Sequence, residues 1–485
     1  MAPFGWHSGE AHVRKLTAVL AAAVAAMAAG GLLAPAQAAD DYSDPDYLAY
    51  DLDNMARTTE RQGYHFTSPE YGEAFRETAF DTWLQGVSRQ FRDADEARVY
   101  AGVGQILPGG SVGDPEAHRD GPRLEVEFLN REGTKLVGNV WPCRTFLAGT
   151  SGPCPGVVIT TGSIQVTQHM YGWLARHLQA NGYTVFTFDV RGQGESETTN
   201  QSNPFASNPQ DGANFQNGTV DALNFLLSDA NPARGSVDGD HLALIGHSLG
   251  ASAVSVVQEC TSTPAAGAPV PADTPPGACQ GRRYPIRAIV AYDSLSATGA
   301  IDPQVPAFEH RADGYFINAA ATPAAPAADD RTKATSAYGQ WTGKGLDACT
   351  VTGRGFTHAE WSEIPYIVSA TRYGVPQAKY YTRAWLDRFV HPSAAVNEAG
   401  QAALTSGPTP AELAGAHLDH RATLFSGKYL SACDVSAVGA EPAFVEDNLR
   451  TYGGAADVGD WAGINAEREY GTPQRGLLHD PPEVP

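Results

Sequence analysis

Basic residues are scarce in this 485-residue chain. It has 33 lysines and arginines against 54 aspartates and glutamates, a formal net charge of −21 at pH 7. Such an excess of negative charge argues against binding nucleic acid or an anionic membrane surface through bulk electrostatics. We therefore expect no nucleic-acid partner.

The usual metal-binding patterns are also missing. None of the six cysteines is spaced as C-x-x-C, which disfavours a zinc site. The Asn/Asp-rich segments do not match the D-x-[DN]-x-[DN]-G calcium loop. We expect neither a metal site nor a cofactor.

An extended apolar run lies near the start of the chain. Arg14 and Lys15 precede an Ala-rich stretch that ends at Ala34, and an A-x-A site ends at Ala38. This order is typical of a secretory signal peptide over residues 1–38. A membrane anchor is the alternative, but alanine is weakly hydrophobic and the cleavage site is well placed. No Arg-Arg pair precedes the run, so we expect Sec-type secretion without a stable membrane anchor.

All six cysteines follow this segment. An even number in an exported chain indicates three disulfides, although six cysteines allow 15 pairings. Pairing neighbours along the sequence is the simplest choice. It predicts the bonds Cys143–Cys154, Cys260–Cys279 and Cys349–Cys433.

The hydrophobic pattern divides the chain into regions. Residues 39–120 have a polar, helical pattern and are predicted to form an N-terminal helical extension. Residues 121–395 begin with a β-hairpin and continue with alternating strands and helices, which predicts a mostly parallel sheet covered on both faces. Residues 396–485 form a C-terminal extension of unknown role, with no clear strand pattern beyond His391.

Two serines lie in G-x-S-x-G patterns, and only one has the context of a nucleophile. Ser248 follows the apolar run Leu242–Ile245 and precedes an apolar helical pattern, the strand–turn–helix order of a nucleophile elbow. Ser111 fits the same letters, but it has neither a strand before it nor an apolar helix after it. We therefore predict that Ser248 is the nucleophile and that Ser111 lies in a turn.

A second motif accompanies the elbow. Asp189 to Ser196 read D-x-R-G-x-G-x-S directly after a predicted strand, and we expect Asp189 and Arg191 to brace that loop internally. With the elbow, this run resembles the α/β-hydrolase family over about residues 124–390. The resemblance implies an α/β-hydrolase fold and a serine nucleophile whose acid and histidine follow in that order.

The resemblance implies candidates for the partners of Ser248. His358 directly follows a late buried strand and is the expected base. Asp313 stands after the strand where the family usually carries its acid, and Asp293 one strand earlier is the alternative. The other residues considered were Glu360 and Asp330 as acids and His310, His391, His417 and His420 as bases.

An oxyanion formed during acyl transfer needs two N–H donors. The backbone N–H of Leu249, at the start of the elbow helix, is one candidate. The resemblance places the second at Ser163, although this chain has Thr161-Gly162-Ser163 where relatives carry His-Gly and lacks the HGGG of lipases.

These features predict a secreted serine hydrolase that cleaves small-molecule or lipid-like carboxylic esters. The alternatives are a peptidase or acyltransferase on the same triad, or a non-catalytic binding protein on a hydrolase scaffold. Only about a dozen residues separate Tyr292 from Val305, so no separate cap is expected there. The helical extension and the loop 195–217 are the candidates for covering the site.

Overall fold

The computed structural model describes most of the predicted domain over residues 121–395 and three short stretches of the residues that follow it. The described residues are 122–162, 167–197, 212–265, 268, 277–293, 295–296, 301–312, 337–353, 358, 360–361, 374–406, 431–436 and 444–447. The expected signal peptide, the helical extension and Ser111 lie outside them. So do Ser163, Asp313, Asp330, His417 and His420.

Ten strands form one sheet. In chain order they are β1 (Leu124–Leu129), β2 (Lys135–Trp141), β3 (Cys154–Thr160), β4 (Thr184–Phe188), β5 (Val237–His247), β6 (Ile286–Tyr292), β7 (Ala307–Ala312), β8 (Ala348–Gly353), β9 (Ala432–Ser436) and β10 (Phe444–Asp447). Their order across the sheet is β1-β2-β4-β3-β5-β6-β7-β8-β9-β10. The six strands from β4 to β8 run parallel, and antiparallel pairs flank them on both sides.

Helices cover both faces of the sheet. They are α1 (Arg144–Leu147), α2 (Gly172–Ala180), α3 (Gly212–Leu226), α4 (Leu249–Val257), α5 (Tyr338–Gly343), α6 (Gly374–Phe389) and α7 (Ala394–Ser406). Side chains of α2, α6 and α7 pack on one face, where Trp173 and Trp385 are buried. Side chains of α3, α4 and α5 pack on the other, where Phe215 and Trp341 are buried. Because both faces are covered, β3, β4, β7 and β8 are buried along their whole length. This is the α/β-hydrolase fold expected from the sequence.

The strand order reverses at β3. The chain passes from β3 to β4 on one side and then to β5 on the other side. In open parallel sheets, such a reversal opens a crevice at the carboxyl ends of the two diverging strands. The end of β5, where Ser248 lies, is therefore at the usual position of a binding site.

Residues beyond His391 contribute more to the fold than their pattern indicated. We expected no strand there, and this is wrong because β9 pairs with β8 and extends the sheet. Cys433 and Val435 of this strand pack in the core, but five residues are too short a stretch for a period-of-two pattern to be recognised. The expected domain boundary at residue 395 falls in the first turn of α7.

Three disulfides are present, with the pairing predicted from neighbouring cysteines. Two of them, Cys143–Cys154 and Cys260–Cys279, close short segments. The third, Cys349–Cys433, joins β8 to β9 across 84 residues of sequence. Among the residues that the structure describes, no helix is long and apolar enough to cross a membrane.

Candidate active site

Ser248 occupies the sharp turn between β5 and α4. Its backbone has φ 56° and ψ −123°, a left-handed conformation that L-residues rarely adopt and that is often found at functional positions. The flanking glycines make the turn possible. A Cβ on Gly246 would overlap the backbone of Gly250, and a Cβ on Gly250 would overlap the carbonyl oxygens that end β3. The G-x-S-x-G pattern thus has the strand–turn–helix geometry of a nucleophile elbow.

The segment after β3, Thr161 and Gly162, lies beside Ser248, and we call it the β3 loop. A Cβ built on Gly162 would stand 3.3 Å from the Cβ of Ser248. Both polar groups of Gly162 have partners. Its N–H donates to the Tyr171 hydroxyl at 3.1 Å, and its carbonyl accepts from the Gln193 side-chain amide at 2.8 Å.

His247, the last residue of β5, is buried next to Ser248 with both ring nitrogens engaged. Nδ1 lies 2.7 Å from the Tyr171 hydroxyl, and Nε2 lies 2.8 Å from the backbone oxygen of His358. Burial, with a smaller contribution from the neighbouring His358, lowers the pKa of His247 to about 3. This imidazole is therefore neutral at ordinary pH.

Asp293 and His358 form a hydrogen-bonded pair across the ends of β6 and β8. Nδ1 of His358 lies 2.8 Å from Oδ2 of Asp293. The carboxylate is fully buried and its Oδ1 accepts from the Ala312 N–H, whereas the imidazole keeps 20% of its surface exposed. A buried carboxylate on Nδ1 of a partly exposed histidine is the acid–base arrangement of a catalytic triad.

The backbone links this pair to the elbow. The N–H of Ser248 donates to the carbonyl of Tyr292, the residue before Asp293, at 3.0 Å. The N–H of Asp293 donates to the carbonyl of His310 at 2.7 Å, and Asp293 itself has φ 55°. Aspartate tolerates this conformation better than most residues, so the turn after β6 can present its carboxylate to the site.

Residues 153–267, from β3 through the elbow helix, match the family model described as serine aminopeptidase, S33, of the Hydrolase_4 type. The matched segment contains β3, β4, β5 and α4, and therefore both the reversal of the strand order and the turn that holds Ser248. The chain has the α/β-hydrolase fold.

Known relatives match this α/β-hydrolase over limited lengths. A 73-residue stretch is 40% identical to the thiohydrolase aneE of Aspergillus aculeatus and covers 15% of this chain and 21% of that protein. The chain thus matches about a fifth of the length of this curated relative. The structure of DcsB in complex with its substrate analogue is 18% identical, with a TM-score of 0.26 over 37% of this chain and 48% of that chain. The α/β-hydrolase GrgF from Penicillium sp. sh18 is 20% identical, with a TM-score of 0.25 over 36% and 48%. Superpositions of this extent carry no argument about substrate.

The predicted site residues of this α/β-hydrolase fall into two groups. Ser248, Leu249, His358 and the alternative acid Asp293 come together at the carboxyl edge of the sheet. Asp313, the acid we preferred, and Ser163, the second oxyanion donor, lie outside the described residues. The preference for Asp313 came from the family's usual acid strand, but the carboxylate that contacts His358 among the described residues follows β6.

Asp189 and Arg191 of the D-x-R-G-x-G-x-S run form hydrogen bonds that hold this loop in place. The carboxylate of Asp189 accepts from the backbone N–H groups of Gln168 and Glu195, at 2.7 and 3.0 Å. Arg191 and Asn214 exchange two hydrogen bonds between their side chains and the Arg191 carbonyl. These contacts are the internal bracing that we expected for Asp189 and Arg191.

Sequence reasoning missed three residues around the elbow. Tyr171, Gln193 and His247 hold the β3 loop or His358, yet we assigned none of them a role. Gln193 lies in an x position of the loop motif and His247 in an x position of the elbow motif. Tyr171 lies in a helical pattern, where an aromatic residue indicates packing. Only the position of His247 next to Ser248 in the sequence could have indicated a role.

Proposed function

We propose that this α/β-hydrolase is a serine hydrolase that uses Ser248, His358 and Asp293 as its catalytic triad. The observation that carries the proposal is the 2.8 Å contact between His358 Nδ1 and the buried Asp293 carboxylate, beside the strained turn that holds Ser248. With the carboxylate on Nδ1, the proposal assigns the serine proton to Nε2 of His358. In this proposal Asp293 takes the role that the sequence assigned first to Asp313.

The proposed reaction is carboxylic ester cleavage in two halves. Ser248 Oγ attacks the ester carbonyl while His358 Nε2 takes its proton, and Asp293 stabilises the resulting imidazolium. The tetrahedral intermediate collapses, the C–O bond breaks, and His358 returns the proton to the leaving alcohol. Water, deprotonated by His358, then attacks the acyl-enzyme and releases the acid and free Ser248.

Two backbone N–H groups are proposed to bind the oxyanion. Leu249 is the first residue of α4, so its N–H has no acceptor within the helix and lies at the positive end of the helix dipole. In the β3 loop, the Gly162 N–H already donates to Tyr171. This engagement supports Ser163, the next residue, as the second donor.

The proposed substrates are small-molecule or lipid-like carboxylic esters. The similarities to known proteins suggest two further classes of acyl substrate. The matching family model is a serine aminopeptidase and a curated relative is a thiohydrolase, so peptides and thioesters are second candidates on the same triad. Nitrophenyl esters of increasing acyl length, an acyl thioester series of equal lengths and an aminopeptidase substrate would rank the three classes by kcat/KM.

A fluorophosphonate probe tests the nucleophile. We expect the wild-type chain to be labelled and Ser248→Ala to lose labelling entirely, because the probe reacts only with an activated serine. Ser111→Ala is the matched control, since it removes the serine of the other G-x-S-x-G pattern and should label like wild type. Labelling that survives in Ser248→Ala, or folded wild-type protein that is never labelled, would contradict the proposal.

The acid is tested by comparing two isosteric variants. Asp293→Asn should lower kcat by about 10³- to 10⁴-fold, because the amide no longer holds His358 in the required tautomer or stabilises its charge. Asp313→Asn should stay within a few-fold of wild type, because the proposal gives Asp313 no part in the triad. The reverse ranking would return the role to Asp313.

Export is also part of the proposal. Three disulfides support an oxidising destination, and the pattern of residues 1–38 supports a cleaved signal peptide. Expression in a secreting host should yield a mature protein beginning at Ala39, as read by N-terminal sequencing. A cell-retained chain that still begins with the apolar run would contradict export.

A further inference from the structure

We propose that Tyr171 and His247 are positioning residues, which hold the β3 loop, the nucleophile elbow and the histidine of the triad in one arrangement. The inference rests on the triad proposed above. Its basis is a continuous chain of hydrogen bonds through the buried side chains of Tyr171 and His247. The chain begins at the Gly162 N–H and ends at the His358 carbonyl.

The direction of every hydrogen bond in this chain follows from its two ends. A carbonyl oxygen only accepts, so Nε2 of His247 must carry the proton that points to His358. Burial keeps this imidazole neutral, and its Nδ1 is therefore an acceptor. A backbone N–H only donates, so the Tyr171 oxygen accepts from Gly162 and gives its own proton to Nδ1. One tautomer and one direction satisfy all four groups.

Gln193 holds the β3 loop from the opposite side. Its side-chain amide donates to the Gly162 carbonyl at 2.8 Å and to the Thr161 hydroxyl at 3.2 Å. The Gly162 residue is therefore bound through its N–H by Tyr171 and through its carbonyl by Gln193. This leaves its orientation beside Ser248 little freedom.

The chain matters because it joins parts of the site that come from separate elements. The β3 loop directly precedes Ser163, the proposed second oxyanion donor, β5 directly precedes Ser248, and His358 follows β8. None of these segments is adjacent in sequence to another. A displacement of about 1 Å between reacting groups can reduce an enzyme's rate by about 100-fold. We therefore assign the Tyr171–His247 chain the task of keeping these groups in register.

A double-mutant cycle on the full-length protein tests this assignment. Tyr171→Phe and His247→Phe should each lower kcat on a nitrophenyl ester by about 10- to 100-fold with KM nearly unchanged, because the chain positions reacting groups rather than binding substrate. The double variant should be no slower than His247→Phe alone, since both changes break the same chain. The rate of fluorophosphonate labelling should follow kcat.

Two further variants separate positioning from general stability. His247→Gln offers an amide oxygen and nitrogen at a spacing similar to the two imidazole nitrogens, and it should restore kcat to within about fivefold of wild type. Tyr183→Phe is the matched control, because it removes an equally buried hydroxyl, bound to Asp387, at the opposite end of the sheet. It should lower stability without changing kcat.

The tautomer can be read without any assay of activity. In protein labelled with ¹⁵N-histidine, the His247 resonances, identified by their loss in His247→Gln, should show a protonated Nε2 and an unprotonated Nδ1 from pH 5 to 8. Tyr171→Phe should shift the Nδ1 resonance. A proton on Nδ1 would overturn the proposal, whether or not the phenylalanine variants fold.

The outcomes distinguish a failure of the positioning role from a failure of the proposed serine-hydrolase function. If Ser248→Ala retains labelling, the proposed function fails. If Ser248→Ala abolishes labelling but folded Tyr171→Phe turns over at the wild-type rate, only the positioning role fails. Multiplicative effects in the double variant, or no advantage of Gln over Phe at position 247, would also overturn the positioning role.

Discussion

Two buried histidines on the same sheet make different use of a similar environment. His247 ends β5 and His310 lies in β7, both almost without solvent exposure, and each ring centroid lies 6.3 Å from that of Trp361. Burial lowers the pKa of each to about 3. Their hydrogen bonds differ. His247 uses both nitrogens at 2.7 and 2.8 Å, whereas His310 has a 3.3 Å contact to Thr382 and no partner for Nδ1 among the described residues.

The difference shows that burial alone does not give a histidine a role. Both rings stay neutral for the same reason, the desolvation of their charged forms. Only His247 joins parts of the chain that must be held in register. His310 packs between Tyr292 and Phe308, with ring centroids 5.0 and 4.6 Å away, and behaves mainly as an aromatic core residue.

The largest expected contrast is in the free energy of unfolding. His247→Phe should lower it by about 2–5 kcal/mol, because it leaves the His358 carbonyl and the Tyr171 proton buried without partners. His310→Phe should change it by less than about 1 kcal/mol, since the lost contact is long and an unpaired nitrogen disappears with it. Urea unfolding at pH 7 measures both. If both variants lost the same free energy of unfolding, the hydrogen bonds of His247 would contribute no more to stability than the single contact of His310.

Acid should destabilise the protein because burial lowers the pKa of both His247 and His310. The folded state keeps each ring neutral to about pH 3, while the unfolded chain protonates each near pH 6.5, so the unfolded state binds more protons between these values. Stability therefore falls as pH drops through this window. Each histidine contributes a loss of about 2 kcal/mol between pH 7 and pH 5.

His310→Phe isolates one of these contributions. The stability that this variant loses between pH 7 and pH 5 should be about 2 kcal/mol smaller than the wild-type loss, because one titrating group is gone. Unfolding curves at the two pH values provide the measurement. An unchanged loss would show that His310 is protonated in the folded protein. The groups around this ring, Tyr292, Phe308, Trp361, Tyr381 and Thr382, carry no charge near neutral pH.

The smallest effect concerns Thr382, which contacts His310 and the Tyr292 hydroxyl. Thr382→Val should cost about 1 kcal/mol, mainly through the 2.6 Å hydrogen bond to Tyr292. The same cost is expected in a His310→Phe background, because the 3.3 Å contact to His310 is weak. Urea unfolding of the four proteins tests this. A cost that disappears in the His310→Phe background would show that His310 is properly hydrogen-bonded after all.

Much of the fold was predictable because it depends on local patterns. Apolar runs and alternation identified the hairpin and the parallel strands, and the glycines around Ser248 identified the elbow. The full length of α3, from Gly212 to Leu226, was less evident, since polar residues in its first turns interrupt the apolar pattern. The strand β9 was missed for a different reason. Five residues are too few to show a strand pattern, and β9 is held in the sheet by β8 and by the Cys349–Cys433 disulfide.

The acid shows where sequence reasoning ends. Asp293 and Asp313 each follow a strand of the parallel sheet, and both strands end at the same edge. Choosing between them from the sequence relied on the usual family position. The contact of Asp293 with His358 depends instead on the left-handed backbone of Asp293 after β6 and on the position of His358 after β8. No pattern of residues in the sequence predicts either of these.

The sequence by itself identified the candidate nucleophile and the candidate histidine, and it determined the pairing of the cysteines. Each depends on residue types at short spacings or beside a recognisable strand. The tertiary structure alone decided which described carboxylate contacts His358. It also decided that Tyr171 and Gln193 bind Gly162 and that His247 links Tyr171 to His358. Hydrogen bonds between segments 9 to 111 residues apart are set by the packing of the sheet, and no local pattern of residues encodes them.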